Sequence, residues 1–380
     1  MIIAPLLRLM AEKQASDLFF TVGAPIQIKI NGVVMPINDA PLESDQIIKL
    51  AYGLMTEEQI RSFEATMEMN FSFHLPDVAN YRVNVFRQRG DLAMVIRHIK
   101  SRIPTVGELR LPPVLNDLIM ERRGMILVVG STGAGKSSTL AAMLDHRNDS
   151  RTGHILTVED PIEFVFRHKK SIVNQREIGM DTVSYSNALT NAMREAPDLL
   201  MIGEIRDRET LKHGIIYALT GHLCISTMHA NNSYHALSRI INFFPHDART
   251  ALLADLAISL KAIISQRLVR GVDGKLLPAV EILMNTKHIA DLIKEGEIDA
   301  IKEAMESSVS PGSQTFEQAL YKMHKAGQIT RDEAMANADS PTNLAALIDY
   351  SATRSEGAPA PAARRPPTED FPIKIDILDK

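Results

Sequence analysis

The first hundred residues alternate between short segments of helical periodicity and short segments in which every second residue is apolar. Residues 6–14 have helical spacing, and residues 25–30 alternate in polarity before Asn31-Gly32 and a second apolar segment, which predicts a β-hairpin. Residues 56–59, Thr-Glu-Glu-Gln, predict a capping box at the start of a helix. Alternating apolar residues predict three further strands, around 70–75, 81–88 and 92–99. We therefore expect an α+β domain over residues 1–103, with helices on one face of its sheet.

A proline-rich stretch separates this region from a second one. Residues 104–113 hold Pro104, Pro112 and Pro113, which cannot all lie in an uninterrupted helix or a central strand, so we place a linker there. Beyond it, helical segments alternate with strands of the fully buried type, at 125–129, 155–158, 199–202 and 223–227. That pattern predicts an α/β domain over 114–345, with a mostly parallel sheet covered on both faces. Its last part, 252–336, is expected to be mainly helical.

The composition changes again towards the end of the chain. Residues 351–370 consist mostly of Ala, Pro, Arg, Glu and Thr, with almost no large apolar side chain, which is typical of disorder. We therefore expect a tail over 346–380. Residues 371–378 regain alternating apolar side chains, and we expect them to dock onto a partner.

Overall composition adds a cellular setting. The chain has 380 residues, a formal net charge of -4 and 45% hydrophobic residues, which is typical of a soluble protein with two domains. Its single cysteine, Cys224, excludes a disulfide framework and a four-cysteine zinc site, and fits a reducing compartment. No stretch approaches the ~20 apolar residues of a membrane helix, and the first residues lack a signal-peptide pattern. We expect a cytoplasmic protein.

The charge pattern also bears on nucleic-acid binding. A mildly acidic chain does not coat nucleic acid by bulk charge. The basic segment 167–170 is the one local candidate, and no aromatic residues interleave with basic ones as a strand-stacking surface requires. We therefore expect no nucleic-acid partner, and interpret this segment as a solvated loop or a membrane-facing contact.

One segment carries a specific chemical signature. Residues 130–137 read Gly-Ser-Thr-Gly-Ala-Gly-Lys-Ser, which fits G-x-x-x-x-G-K-[ST] between a predicted strand and a helical segment. Such a loop turns backbone N–H groups towards an anion at the positive end of a helix. We expect Lys136 to reach the β- and γ-phosphates of ATP and Ser137 to bind Mg²⁺. The residues expected to form the nucleotide site are Gly130, Ser131, Thr132, Gly133, Ala134, Gly135, Lys136, Ser137 and Ser138.

Two acidic strand ends complement this loop. Phosphoryl transfer to water needs carboxylates that hold the metal and polarise the attacking water. The apolar segment 198–203 ends at Glu204, which we assign as a catalytic and metal-binding acid. A second segment ends in Glu-Asp-Pro-Ile-Glu, where Glu163 is the expected water-activating base and Glu159 a ligand of the metal's water shell. The alternative is that these carboxylates lie in solvated loops.

Histidines and arginines complete the set of candidates. His222 and His229 flank one predicted strand, so they lie at opposite ends of it, and His229 should face the nucleotide. We expect His222 to contribute to nucleotide binding by contacting the phosphate relay, and a structural role for it is equally open. Arg82 and Arg97 lie within otherwise apolar strands, where a guanidinium could bind a phosphate of a neighbouring subunit, although surface solvation is the simpler alternative.

These motifs occur in the order found in a known group of proteins. The P-loop, the acidic box 159–163, the segment 203–207 and Thr-Gly-His at 220–222 together resemble the secretion ATPase superfamily, and more narrowly the PilT and PilU group of type IV pilus retraction ATPases. The similarity runs from about Met1 to Asn343 and includes segments 81–86 and 312–319.

The resemblance implies a fold and a mechanism. It implies a PAS-like N-terminal domain, a RecA-like P-loop domain with a helical C-terminal part, and a homohexamer with nucleotide between subunits. It also implies Mg²⁺-dependent ATP hydrolysis in the cytoplasm, at the inner-membrane platform protein of the pilus base. By position in the motifs, Lys136 and Ser137 bind nucleotide and Mg²⁺, Glu163 and Glu204 are catalytic, His222 and His229 form a histidine box, and Arg82 and Arg97 act in trans.

Departures from the PilT pattern refine this expectation. Lys287–Glu295 stands where PilT proteins have Ala-Ile-Arg-Asn-Leu-Ile-Arg-Glu, and the tail is additional. Both features favour the PilU branch, an accessory motor that depends on a PilT-like partner. The alternatives are a pilus-assembly or type II secretion ATPase, a RecA-like nucleic-acid translocase and an inactive scaffold. Assembly and secretion motors typically have a long extra N-terminal domain, and intact Lys136, Glu163 and Glu204 disfavour a scaffold.

Overall fold

The computed structural model describes residues 3–355 except 31, 77, 100, 101 and 309. The strands in this part of the chain are β1 Asp17–Phe20, β2 Gln27–Ile30, β3 Val33–Pro36, β4 Glu68–Leu75, β5 Ala79–Gln88, β6 Asp91–Ile99, β7 Gly124–Val129, β8 Gly153–Glu159, β9 Ser171–Glu177, β10 Leu199–Glu204, β11 Leu223–Met228, β12 Leu260–Arg270 and β13 Leu276–Met284. The helices are α1 Ala4–Glu12, α2 Ser44–Tyr52, α3 Glu57–Thr66, α4 Val114–Ile119, α5 Lys136–Ser150, α6 Tyr185–Ala192, α7 Arg208–Leu219, α8 Ser233–Asn242, α9 Arg249–Ser259, α10 Lys287–Glu295, α11 Ile301–Glu306, α12 Phe316–Lys325, α13 Arg331–Asn337 and α14 Pro341–Ser355.

Strands β1 to β6 form an antiparallel sheet in the order β3-β2-β1-β6-β5-β4. Side chains alternate along β5, so that Tyr81, Val83 and Val85 are buried in a core that also contains residues of α1, α2 and α3. The predicted hairpin, the three predicted strands and the capping box at Thr56 are confirmed. The opposite face of the sheet carries Arg82 and Asn84.

The second sheet has the order β13-β12-β7-β11-β10-β8-β9. Strands β7 to β12 are parallel to their neighbours, and β13 runs antiparallel to β12, so the expected mostly parallel sheet is confirmed. Alternate side chains of β7 enter different cores: Met125 and Leu127 pack with α7 and α9, whereas Ile126 and Val128 pack with α5. Because both of its faces are covered, β7 is buried and apolar along its whole length.

The prediction that 252–336 is mainly helical was wrong for residues 260–284. Residues 260–284 form the hairpin β12–β13, closed by a turn between Gly271 and Gly274. Strand β12 is buried on both faces along its middle, so it lacks the period-two pattern of an exposed strand and resembles a buried helix. On β13, the buried Glu281 accepts hydrogen bonds from the Ser233 N–H at 2.8 Å and the Ser265 hydroxyl at 2.9 Å.

Two further differences concern the edges of this region. Strand β9 was not predicted, because Ser171, Gln175 and Glu177 make its covered face mostly polar. The expected tail start at 346 was too early, since α14 continues to Ser355 and its Leu344 is fully buried against the C-terminal core. The predicted docking segment 371–378 lies outside the described residues.

Among the described helices, none combines the length and the hydropathy needed to cross a membrane.

Candidate active site

The loop between β7 and α5 has the geometry of an anion cradle. Gly133 and Gly135 have φ values of 80° and 89°, and Gly135 caps α5 without any side-chain hydrogen bond. A Cβ on Gly130 would lie 2.6 Å from the Gln266 carbonyl oxygen, and one on Gly135 would lie 2.8 Å from Gln266 Nε2. Nothing lies within 4 Å of a Cβ placed on Gly133. The loop is therefore packed against β12 on one side and open on the side that a phosphate would enter.

Lys136 lies folded over this loop. Its Nζ donates hydrogen bonds to the carbonyl oxygens of Gly130 and Ser131, both at 2.9 Å. Burial lowers the pKa of Lys136, and the nearby carboxylates of Glu204 and Glu163 oppose that shift. The ammonium group is thus held at the cradle, with both expected catalytic acids close enough to act on it electrostatically.

An open cleft lies beside the cradle. It brings together half of the predicted site residues, from four strand ends. Its lining includes Thr132, Gly133, Lys136, Ser137, Glu159, Asp160, Glu163, Tyr185, Glu204, Thr227 and His229. Ser138 lines a neighbouring cavity together with Gly135, Leu268 and Pro278.

Glu204 ends β10 and is held by two partners. Its Oε2 accepts a hydrogen bond from Arg206 Nε at 2.8 Å and forms an ion pair with Arg206 Nη2, also at 2.8 Å. Its Oε1 lies 3.1 Å from His229 Nε2. The Glu204 side chain is 17% exposed. Strands β10 and β11 are parallel neighbours, so their carboxyl ends meet at one edge and bring Glu204 and His229 together.

The two glutamates of the acidic box differ in environment. Glu159 is 6% exposed, and its Oε1 accepts hydrogen bonds from the Thr157 hydroxyl at 2.7 Å and from Gln175 Nε2 at 3.1 Å. Burial raises the pKa of Glu159 to about 7. Glu163, by contrast, is exposed at the cleft. The arrangement suits Glu163 for contact with solvent or substrate, whereas Glu159 ties the acidic box to the sheet.

Strand β9 supports the acidic box, and sequence reasoning missed this role. Gln175 accepts a hydrogen bond from the Phe166 N–H and donates one to the Phe164 carbonyl oxygen, both at 2.8 Å. Glu177 accepts one from the Ile162 N–H at 3.1 Å. The signal in the sequence is polar residues at alternate positions just after an acidic box, which hydrophobic periodicity does not detect.

Tyr185 and Arg206 are two further residues at the cleft that were not proposed as site residues. Tyr185 begins α6 and lines the cleft, and burial raises its pKa. Arg206 holds Glu204 and lies 3.9 Å from Asp160. Arg206 therefore connects the two acidic strand ends.

Arg82 and Arg97 are paired across β5 and β6, on the sheet face opposite α1, α2 and α3. Arg82 Nη2 donates a hydrogen bond to the Ile162 carbonyl oxygen of the same chain at 2.9 Å, and burial lowers its pKa. The Arg97 side chain is 62% exposed, and its Nε donates to Asp17 Oδ1 at 2.8 Å. Arg82 thus reaches its own acidic box, and Arg97 does not line the cleft.

His222 lies away from the cleft. Its ring packs on Tyr217 with centroids 4.8 Å apart, and its carbonyl oxygen accepts a hydrogen bond from the Gly124 N–H at the start of β7. The six residues of β11 separate it from His229, which corresponds to about 20 Å along a strand. Within one chain the structure does not bring His222 to the nucleotide site.

Comparison with known proteins agrees with this geometry. The model of the family described as type II/IV secretion system protein matches residues 1–335. The chain is 48% identical over 344 residues to the type IV pilus ATPase PilU of Pseudomonas aeruginosa, with 90% of each chain covered. It is 40% identical over 342 residues to the type IV pilus retraction ATPase PilT of the same species, with 90% of this chain and 99% of PilT covered.

A solved structure supports the same relationship. The crystal structure of the pilus retraction motor PilT with bound ADP superposes with a TM-score of 0.84 at 39% identity, over 90% of this chain and 99% of PilT. The expected α/β architecture, an α+β N-terminal part followed by a P-loop part, is confirmed, and so is the expected family. The chain belongs to the type II/IV secretion system protein family and, within it, to the type IV pilus ATPases of the PilT and PilU group.

Proposed function

We propose that this protein hydrolyses ATP with Mg²⁺ to drive or assist the retraction of type IV pili in twitching motility. The observation that supports this most is the convergence of Lys136, Glu163 and the Glu204–His229 pair on one cleft. Each comes from a different element, and such convergence around a P-loop suits phosphoryl transfer to water. The similarity to PilU and PilT adds the coupling to pili.

The residues present fit a nucleotide and its metal. The first turn of α5 offers N–H groups that no side chain caps, and the Ser137 hydroxyl faces the same cleft. Bound Mg²⁺ would neutralise phosphate charge and polarise the attacking water. Ser137 and Glu204 are our candidates to hold it, and Glu159 remains a candidate only for its water shell, because its Oε1 already accepts two hydrogen bonds.

The protein's own groups then have distinct tasks. Lys136 exchanges its hydrogen bonds with the loop carbonyls for bonds to the β- and γ-phosphates. Glu163, exposed at the cleft, takes the proton of the attacking water. His229 and Arg206 orient the Glu204 carboxylate. The nucleoside occupies the cavity lined by Ser138. Leu268 and Pro278 give this cavity an apolar wall that suits a nucleotide base.

We further propose the assembly and the setting. The chain divides into an N-terminal domain over 1–103, a linker at 104–113 and a P-loop part from 114. It assembles into a homohexamer, in which Arg97, exposed in one chain, acts on the nucleotide of a neighbouring subunit. The motor works in the cytoplasm at the inner-membrane platform protein of the pilus base. The similarity to PilU and the divergent helix α10 favour an accessory role beside a PilT-like retraction ATPase.

A clean deletion tests the cellular role. Loss of a retraction motor should leave surface pili present or in excess while twitching falls, whereas loss of an assembly motor removes the pili. For an accessory motor, this protein alone should not restore twitching when the PilT-like motor is also deleted. Full twitching driven by this protein alone would refute the accessory role, and absence of pili would refute retraction.

The Lys136→Ala variant tests the chemistry. Because Lys136 supplies the positive charge at the transferred phosphate, the purified variant should lose ATP hydrolysis. Reintroduced in place of the wild-type gene, it should also reproduce the deletion phenotype. Undiminished ATP turnover would show that the cleft is not where hydrolysis occurs.

A further inference from the structure

The face of the N-terminal sheet opposite α1, α2 and α3 contacts the acidic box of the same chain. Ser72 on β4 and Arg82 on β5 are register partners, so their side chains lie next to each other on that face. Arg82 reaches the Ile162 carbonyl oxygen at 2.9 Å, and the Ser72 hydroxyl donates a hydrogen bond to Glu177 Oε1 at 3.1 Å. Two neighbouring residues of the N-terminal sheet thus contact the acidic box and the strand β9 that supports it.

Both backbone polar groups of Ile162 are held by this arrangement. Its N–H donates to Glu177 Oε2 at 3.1 Å, and its carbonyl oxygen accepts from Arg82. The Glu177 carboxylate, 6% exposed, therefore bridges the two parts of the chain, with Oε1 towards Ser72 and Oε2 towards Ile162. We call Ser72, Arg82 and Glu177 around Ile162 the Ile162 clamp.

The clamp controls only one part of the acidic box. Gln175 holds Phe164 and Phe166 through contacts within the P-loop part, which do not involve the N-terminal sheet. Ile162, one residue before Glu163, is the point at which the N-terminal sheet contributes. Displacing that sheet would free the Ile162 carbonyl oxygen and remove one donor from Glu177, while the hydrogen bonds of Gln175 remain.

We propose that Ser72 and Glu177 are positioning residues for ATP hydrolysis, which place the Glu163 carboxylate at the cleft when the N-terminal sheet is docked. The inference rests on the proposed role of Glu163 as the base. A base must lie within hydrogen-bond reach of its water, so a small shift of the loop lowers the rate of the chemical step. Nucleotide binding, which depends on residues 130–138, does not require the clamp.

The test compares three variants of the full-length protein. Ser72→Ala removes the hydroxyl that contacts Glu177 and should lower kcat about tenfold, while KM for ATP and Kd for ADP stay within about twofold. Ser72→Thr keeps the hydroxyl and should restore most of the rate. Asn84→Ala is the matched control, because Asn84 lies on the same sheet face but donates its hydrogen bond to Asn70, at 2.7 Å. Asn84→Ala should leave kcat unchanged.

A double-mutant cycle separates this inference from the assignment of the base. If Ser72 acts through Glu163, adding Ser72→Ala to Glu163→Gln should cause no further loss of the residual rate. A Glu163→Gln protein with the wild-type rate would refute the base itself. If Glu163→Gln is inactive but Ser72→Ala retains full kcat, or Asn84→Ala loses as much, the positioning role is wrong.

Discussion

Arg267 on β12 joins segments that are distant in sequence. Its guanidinium pairs with the Asp339 carboxylate and donates hydrogen bonds to the carbonyl oxygens of Asn337 at 2.6 Å and Asn231 at 3.1 Å. The Phe316 ring lies 3.9 Å from its Cζ. Asn231 is two residues after His229, so Arg267 ties the C-terminal helices to the loop that follows β11. Replacing Arg267 with alanine should therefore be among the more destabilising changes in the P-loop part.

The size of the effect follows from burial. Removing one partner of a buried ion pair costs about 3–5 kcal/mol, because the other charge is left without compensation. The Arg267 and Asp339 side chains are 20% and 13% exposed, and Asp339 Oδ2 keeps a hydrogen bond from Asn232 Nδ2 at 2.8 Å. These features reduce the expected cost of Arg267→Ala to about 2–3 kcal/mol.

Urea unfolding followed by circular dichroism measures this cost. Arg331→Ala is the matched control, since Arg331 also pairs with an aspartate of the C-terminal helices, Asp349, but with side chains 54% and 69% exposed. That exposed pair should contribute less than about 1 kcal/mol. Equal losses for the two variants, or a loss below about 1 kcal/mol for Arg267→Ala, would refute the reasoning from burial.

Two further predictions concern pH and subunit exchange. Burial raises the pKa of Glu281 above its ordinary 4.5, so the stability it contributes is present below about pH 4.5 and falls as the pH rises above that value. The Tm of Glu281→Gln should therefore rise relative to that of the wild type as the pH is raised above about 4.5, and a Tm difference independent of pH would contradict this. Mixed hexamers of Arg82→Ala and Lys136→Ala protomers should stay inactive, because Arg82 contacts the acidic box of its own chain, and recovery of ATPase activity would place Arg82 in trans. Mixed hexamers of Arg97→Ala and Lys136→Ala protomers should recover ATPase activity, and no recovery in demonstrably mixed rings would refute the trans role of Arg97.

The sequence predicts the centre of the site well, because local patterns encode it. The loop before Lys136 is contiguous, and its glycines report the backbone conformation directly. Glu204 and His229 each end a strongly apolar strand, and parallel neighbouring strands bring such ends together. The order of strands in the sheet is the one further fact needed to place Glu204 and His229 side by side. The P-loop fold supplies that order.

The support of the site could not be predicted in this way. Gln175 and Glu177 act on the acidic box because β9 lies beside β8, a long-range pairing that neither propensity nor periodicity encodes. Gln266 packs on the P-loop from a strand whose buried middle resembles a helix. His222 is seven residues from His229 in the sequence, yet β11 separates the two by its whole length. Contacts that depend on packing between distant elements require the structure.

The most direct test of the central claim is to measure ATP hydrolysis and nucleotide affinity together in the purified Glu163→Gln protein. If Glu163 is the base at this cleft, kcat should fall by about 10²- to 10⁴-fold, while Kd for ATP, set by the loop around Lys136, should stay within a few-fold of wild type. Hydrolysis that continues at the wild-type rate, or affinity that falls in parallel with the rate, would contradict the account.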